Sequence, residues 1–244
     1  MSSAPPNRAV PFLAAFNDIE AHLRDMLDAK RSDSFRWMVG QARRRGLINE
    51  AFADELQEFA QLRNAISHGP YRDYRPIAEP LPETVAAIEF IRDALHDPPT
   101  AMSVLGDQQV VTVSPGDDIR VALQILRTTT ISQFPVYDTG RCVDLLTTNT
   151  IARWVAADLD DNDHLDGRTV RDVLDYAESS DYAVFLPRDV LAQEALEALT
   201  TPPKGKPLPR AAIVTEVGRA DHRPVRVIGG SDIAALVEAV SPPR

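Results

Sequence analysis

The chain has 244 residues, of which 25% are charged and 44% are hydrophobic, a composition that excludes an intrinsically disordered protein and fits one large domain or two smaller ones. Its 36 acidic and 26 basic residues give a net charge of −10, which disfavours bulk binding of nucleic acid. Because Cys142 is the only cysteine, an intrachain disulfide and a four-cysteine zinc site are both excluded.

The first 98 residues have the periodicity of α-helices. Phe12, Phe16 and Ile19 recur at three- and four-residue spacing and therefore share one helix face. The side chain of Asn49 can accept a hydrogen bond from the free amides of a first helical turn, which makes it a candidate cap. Helices are predicted from Pro11 onward, over Ser34–Arg45, from Asn49 to His68, and over Glu83–Leu95. We therefore expect an all-α helical bundle over residues 1–98.

A change of pattern follows the segment Asp97-Pro98-Pro99-Thr100, which we interpret as a linker because residues before proline are pushed toward extended conformations. Beyond it, β-branched and aromatic runs alternate with helical periodicity. The predicted elements are a strand at Val110–Val113, a helix from Pro115 to Leu126, strands at Phe134–Tyr137 and Val143–Leu146, and a helix from Asn149 to Ala157. Asp138-Thr139-Gly140 is a hairpin-type turn between the two later strands.

The same order of elements then recurs, which is typical of an internal repeat. The second set is predicted at Ala183–Phe185, Pro187–Leu199, Ala211–Val214, Val225–Ile228 and Ser231–Val240. Ile151–Val155 aligns with Ile233–Val237 at an offset of 82 residues. Two βαββα copies imply a pseudo-twofold pair that buries a common sheet face, with one cleft per copy. The fold class expected for the whole chain is α+β.

Three motifs of the first copy occur in the order of a known family. They are "V-x-P-x-D-x-x-x-x-A-L-x-x-L", "F-P-V-Y-D-T-G" and "L-L-T-x-x-x-I". This arrangement resembles a tandem pair of CBS domains, and the resemblance places one domain at residues 102–160 and the other at 168–241. In that family the pair typically binds an adenosine derivative such as AMP, ADP, ATP or S-adenosylmethionine. The resemblance therefore implies an adenosine-containing small molecule as a regulatory ligand.

The family's binding fingerprint has a glycine, two apolar residues, a serine or threonine, two free positions and an acid. Its hydroxyl and the following helix N-terminus meet phosphate, and its acid holds the ribose hydroxyls. In the first copy the resemblance assigns Asp144 to the glycine, Thr147 to the hydroxyl and Thr150 to the acid. The alternative is that Thr147 is an ordinary threonine at a strand end.

In the second copy the resemblance assigns Arg226 to the glycine, Gly229 to the hydroxyl and Asp232 to the acid. This copy is the better candidate because it keeps the carboxylate. Gly229 and Gly230 would let backbone amides approach an anion closely, and Arg226 could supply charge to a phosphate. The alternative is that Asp232 only caps its helix.

An octapeptide in the third predicted helix, Leu62 to Gly69, resembles the R-x4-H motif of HEPN domains, which are helical bundles that include ribonucleases. The resemblance implies that His68 exchanges a proton with a ribose hydroxyl and that Arg63 binds the transition-state charge, without a metal ion. In that family the sites of two protomers face each other. The alternative is that Arg63 pairs with a carboxylate and His68 caps the helix.

Three functions are therefore compatible with the sequence. The first is a regulatory homodimer in which an adenine nucleotide bound to the CBS pair modulates the helical domain. The second is a nucleotide-gated HEPN ribonuclease, which the net charge disfavours. The third is a degenerate interaction scaffold that binds neither an adenine nucleotide nor RNA. No stretch approaches the roughly 20 apolar residues of a membrane-spanning helix, and the five histidines lack metal-ligand spacing. We expect a cytoplasmic protein without a metal site or a membrane segment.

Overall fold

A computed structural model describes residues 7–68, 78–162 and 164–243. Its tertiary contacts divide the chain into two units, Met1–Pro99 together with Glu238–Arg244, and Thr100–Val237. Helices and strands are both present, as the sequence predicts. None of the helices in the described ranges is long and apolar enough to cross a membrane.

The first unit contains the four helices that periodicity predicts. They are α1 (Ala9–Leu27), α2 (Phe35–Arg44), α3 (Glu50–His68) and α4 (Pro82–His96). The predicted cap is confirmed, because the Asn49 Oδ1 atom accepts from the Phe52 amide at 2.7 Å. Ser34 caps α2 in the same way and accepts from the Trp37 amide at 3.3 Å. Local sequence therefore fixes where these helices begin.

The core of the first unit is built around the predicted apolar face of α1. Phe12 and Phe16 on that face are fully buried. The Phe16 ring lies 4.4 Å from the Phe35 ring, and the Phe12 ring meets the Phe59 ring edge-on at 5.8 Å. These aromatic contacts join α1 to α2 and α3.

The C-terminal residues also belong to the first unit. The sequence assigned residues up to 241 to the second βαββα copy, whereas contacts from Glu238 onward lie with the helical unit. One of these contacts is a hydrogen bond of 2.9 Å from Asn49 Nδ2 to the Val240 carbonyl. The difference arises because this pairing joins residues 191 positions apart, which helical periodicity does not encode.

Two histidine rings of the first unit lie in contact, tilted by 56° to each other. The rings of His22 in α1 and His96 in α4 lie 4.4 Å apart. Burial and the neighbouring His96 imidazole hold the pKa of His22 below its ordinary value of 6.5, although Asp25 and the Leu95 carbonyl oppose this shift. The folded state therefore favours neutral His22, and the unfolded chain binds more protons as the pH falls.

We expect the free energy of unfolding to be highest above pH 6.5 and to decrease as the pH falls through that value toward the lower pKa of folded His22. Urea unfolding followed by circular dichroism measures how the free energy of unfolding depends on pH. The measurements run from pH 7.5 to pH 5.5, each about one unit from the ordinary histidine pKa. His22→Gln should reduce this dependence. Equal pH profiles for the wild type and His22→Gln would contradict the expectation.

The second unit carries the strands and the remaining helices. In chain order these are α5 (Ala101–Leu105), α6 (Arg120–Thr128), β1 (Gln133–Asp138), β2 (Arg141–Thr147), α7 (Thr148–Asn162), α8 (Val170–Leu174), β3 (Ala183–Pro187), α9 (Ala192–Thr200), β4 (Ala211–Thr215), β5 (Pro224–Ile228), a 3₁₀ turn at Gly230–Asp232, and α10 (Ile233–Ala239), which ends in the first unit. β1 and β2 pair antiparallel, and β4 pairs parallel with β3 and antiparallel with β5. The predicted hairpin turn joins β1 and β2, with positive φ at Thr139 and Gly140.

The first predicted strand is shorter than expected. Val110–Val113 was predicted as a strand, but of these residues only Val113 forms a bridge, parallel to Val136. Val113 donates to the Pro135 carbonyl at 3.2 Å and accepts from the Tyr137 amide at 2.8 Å. The next bond of this parallel ladder would need a hydrogen on the nitrogen of Pro135, which proline lacks. The ladder therefore stops after one bridge.

The two copies exchange their leading helices. Thr100, which caps α5, bridges Leu191 before α9, and Thr169, which caps α8, bridges Asp118 before α6. The sequence signal for this exchange is a shared T-x-x-x-V-L at Thr100–Leu105 and Thr169–Leu174, which the sequence analysis missed. Each copy therefore packs the helix that precedes the other copy.

The two sheets share a buried face, as the repeat predicts. Leu145 of β2 and Ile213 of β4 belong to one core cluster, together with Cys142, Ala211 and Val227. The Tyr137 hydroxyl also donates to the His222 carbonyl at 2.8 Å. Burial of this common face holds the two copies of the repeat together.

Candidate functional site

A cavity of about 780 Å³ lies in the second unit, beside the end of β5. Its volume is within the range of small-molecule sites. Three segments contribute most of its wall, Thr130–Gln133 at the start of β1, Leu208–Arg210 before β4, and Gly229–Ile233 after β5. The wall is completed by Gln108, Ser180, Leu199 and Val227. Apolar side chains and hydroxyl groups therefore face the same space.

Asp232 is the acid of this cavity. Its Oδ1 accepts from Arg226 Nη2 at 2.9 Å, and its Oδ2 accepts from the Gly229 amide at 2.8 Å. The side chain keeps 17% of its surface exposed. A carboxylate has about four acceptor positions, so these two bonds leave capacity for further donors such as two vicinal hydroxyl groups. Asp232 thus caps its turn and still presents acceptor oxygens.

Both terminal nitrogens of Arg226 donate to protein oxygens. Its Nη1 donates to the carbonyls of Leu105 and Gly106 at 2.9 and 2.8 Å, and its Nη2 donates to Asp232. Only 10% of the side chain is exposed, and Arg226 does not line the cavity. Three of its five N–H donors already bind protein oxygens, which does not favour a phosphate contact, and that contact stays a prediction. Arg226 fixes the orientation of Asp232.

Gly229 and Gly230 both line the cavity. A Cβ atom on Gly229 would lie 2.7 Å from the Oε1 atom of Gln133, so the Gln133 side chain closely approaches this glycine and would have to move to admit a larger residue. A Cβ atom on Gly230 would meet no atom within 4 Å, so Gly230 leaves open space at the cavity. The glycine pair stands out in the sequence, and in the structure Gln133 is its neighbour.

Arg210 supplies positive charge to this cavity, and the sequence analysis did not identify it. Among the described lining residues it is the only cation, and its side chain is 41% exposed. Its Nε donates to Asp181 Oδ1 at 3.2 Å, and its Nη2 donates to Ser180 Oγ at 3.3 Å. The one available signal was its place directly before β4, close to the place that Gln133 has as the first residue of β1.

The threonines of the first copy do not line this cavity. Thr147 Oγ1 accepts from the Thr150 amide at 3.0 Å, and Thr150 Oγ1 lies 3.1 Å from Asp181 Oδ2, to which it donates. The two hydroxyl oxygens are also 3.0 Å apart. Thr147 is 2% exposed and Thr150 is fully buried. Their hydroxyl groups therefore satisfy one another and a buried carboxylate inside the protein.

The helical unit holds the other candidate pair. The Arg63 guanidinium lies 4.8 Å from the centre of the Phe16 ring, and its Nη2 is 3.9 Å from Glu20 Oε2. Both contacts favour the interpretation that Arg63 packs in the bundle beside a carboxylate. The side chain of His68 lies outside the residues whose side chains the structure describes. The catalytic pairing of Arg63 with His68 therefore stays a prediction.

Comparison with known proteins gives a family for part of the chain. Residues 104–157 match the family model of the CBS domain. No curated protein matches the chain. This chain is similar to a solved CBS-domain containing protein from Agrobacterium tumefaciens, with 22% identity, coverage of 57% of this chain and 89% of that chain, and a TM-score of 0.39.

Two further solved structures are similar to this chain. The CBS domain of a bacterial CNNM/CorC family Mg²⁺ transporter in complex with ATP has 18% identity, 65% and 99% coverage, and a TM-score of 0.42. CBSX2 in complex with AMP has 16% identity, 56% and 93% coverage, and a TM-score of 0.39. With TM-scores below 0.5, these structures carry no ligand over to this chain. The match to the CBS-domain model covers residues 104–157, about a fifth of the chain.

Proposed function

We propose that Thr100–Val237 form a pair of CBS domains that binds an adenine nucleotide, AMP, ADP or ATP, and regulates the helical unit. The helical unit is then a HEPN-like output domain, and the protein acts as a cytoplasmic homodimer. The family match at residues 104–157 and the repeated order of elements support the pair. The exchange of α5 and α8 between the copies supports it as well.

The observation that carries the nucleotide proposal is the geometry of Asp232. Its carboxylate is oriented by Arg226 and the Gly229 amide, yet it lines the cavity with acceptor capacity left over. Ribose presents two vicinal hydroxyl donors, which such a carboxylate binds by charge-assisted hydrogen bonds. The apolar side chains of Ile131 and Leu199 on the same wall suit a base.

Isothermal titration of the full chain with AMP, ADP, ATP and S-adenosylmethionine tests this proposal. We expect micromolar-range binding of AMP or ATP, and we expect Asp232→Ala to weaken it by about tenfold or more, because hydrogen bonds to a charged group contribute roughly 1.5 to 3 kcal/mol. Binding of S-adenosylmethionine without binding of AMP, ADP or ATP would contradict the proposed nucleotide ligand. Light scattering of the same samples should give more than the 26.9 kDa of one chain.

Asp172→Ala is the matched control for Asp232→Ala. Asp172 also accepts from a backbone amide at a helix start, that of Thr169 at 2.9 Å, but it does not line the cavity. Its replacement should leave nucleotide affinity unchanged, and thermal unfolding of each variant establishes that it is folded. The proposal fails if the wild type binds none of these ligands, or if both variants bind as the wild type does.

A further inference from the structure

Arg210 is anchored on one side and exposed on the other. Its Nε and Nη2 donate to Asp181 and Ser180, while the side chain lines the cavity that contains Asp232. A guanidinium carries five N–H donors, so these two bonds leave three for a ligand. Arginine presents such donors in a planar fork that matches phosphate oxygens. An anchored guanidinium with donors to spare is suited to recognise a phosphate group.

The anchor is a carboxylate with no exposed side-chain surface. Asp181 Oδ2 accepts from the Glu178 amide and from Thr150 Oγ1, both at 3.1 Å, and its Oδ1 accepts from Arg210 Nε at 3.2 Å. Burial opposes ionisation, but these three donors outweigh it and hold the pKa of Asp181 below its ordinary value. Asp181 is therefore ionised at neutral pH, and its charge fixes the Arg210 side chain in place.

The same contacts occupy the two fingerprint hydroxyl groups of the first copy, those of Thr147 and Thr150. The Thr150 hydroxyl, which stands at the position of the family's ribose-binding acid, donates to Asp181. The Thr147 hydroxyl, which stands at the phosphate-binding position, accepts from the Thr150 amide and lies 3.0 Å from the Thr150 hydroxyl oxygen. With Thr147 at 2% and Asp181 at 3% exposure, this position is filled by the protein's own side chains.

We propose that the first fingerprint has become a support for the second site: Thr147, Thr150 and Asp181 position Arg210, which binds the phosphate of a single nucleotide per chain. This inference rests on the proposed nucleotide binding and deepens it. Arg210 touches the ligand, and Thr150 and Asp181 are positioning residues that act through it. The ligand class is a phosphorylated nucleoside rather than a nucleoside.

The test compares AMP with adenosine, because the ratio of their affinities isolates the contribution of the phosphate. We expect the wild type to bind AMP about tenfold or more tightly than adenosine, with one molecule per chain. Arg210→Gln should lower AMP affinity to that of adenosine and leave adenosine affinity unchanged. Asp181→Asn and Thr150→Val should reduce the ratio by a smaller factor, because they release Arg210 without removing it.

Lys206→Gln is the matched control for Arg210→Gln. Lys206 is a cation of the same loop that lies 5.8 Å from the Tyr182 ring and does not line the cavity, so its replacement should not change the ratio. The inference is overturned if AMP and adenosine bind the wild type equally, if Arg210→Gln keeps the wild-type ratio, or if two nucleotides bind per chain. Absence of binding by AMP, ADP, ATP and adenosine alike would instead refute the proposed function.

Asp181→Asn replaces a buried carboxylate. Of the three variants, it is the one for which misfolding is the greatest concern. Arg210→Gln changes a side chain that is 41% exposed, so it keeps the test decisive if Asp181→Asn does not fold. A purely structural role for Asp181 would lower the affinities for AMP and adenosine by the same factor. A positioning role lowers only the affinity for AMP.

Discussion

Replacing Arg226 with methionine is expected to lower the free energy of unfolding by about 3 kcal/mol, the low end of the range for breaking a buried ion pair. The arginine bonds the carbonyls of Leu105 and Gly106 as well as Asp232, and methionine would leave all three acceptors without this donor. Asp232 would also keep a largely buried negative charge. Urea unfolding followed by circular dichroism measures the loss.

Two further variants make this result specific. Arg226→Met combined with Asp232→Asn should recover part of the loss, because the second change removes the unpaired charge. Arg188→Met is the matched control, since Arg188 is half exposed and lies 3.8 Å from Glu216, a separation at which an exposed pair adds little. If Arg226→Met and Arg188→Met unfold at the same urea concentration, Arg226 does not have the proposed supporting role.

Trp154→Ala should have the largest effect on stability, a decrease of about 3 to 5 kcal/mol, because it empties a large buried volume. Trp154 in α7 is 2% exposed and packs in a core cluster with Phe134, Leu146 and Ile151. Its indole Nε1 is buried without a hydrogen-bond partner. Trp154→Phe keeps most of the packing and removes this polar group, so the expected loss is only about 1 to 2 kcal/mol.

Trp37→Ala is the matched control for the loss of a tryptophan. Trp37 is 41% exposed, so its replacement should lower the free energy of unfolding by less than Trp154→Ala does, about 2 kcal/mol or less. Chemical denaturation of the three variants orders them by stability. An equal loss for Trp154→Ala and Trp37→Ala would be incompatible with the burial of Trp154.

The helices of the first unit could be predicted because their signals are local. The apolar spacing on α1 and the cap at Asn49 concern residues within a few turns of each other, and both appear in the structure. The hairpin turn is local in the same sense, since Thr139 and Gly140 alone set its positive φ angles. The repeated elements of the second unit could be predicted for the same reason, because two similar segments adopt similar orders of strand and helix.

The candidate site could be predicted only in part. Asp232, Gly229 and Gly230 stand in a motif that the sequence displays, and they line one cavity. Arg210 belongs to no motif, and its contact with Asp181 depends on chain segments 29 residues apart. The roles expected for Arg226, Thr147 and Thr150 followed from the motif alone, which does not specify what else their side chains contact.

The sequence by itself determined the helical first unit, the repeated elements of the second unit and the acid of its cavity, because each depends on short-range periodicity or on a contiguous motif. The tertiary structure decided which polar side chains already hydrogen-bond to other protein groups and which are left to bind a ligand. Arg226 meets Leu105 across 121 residues, and Thr150 meets Asp181 across 31. A hydrogen bond satisfies a buried donor whatever its distance along the chain, so only the folded arrangement determines whether a side chain is left to bind a ligand.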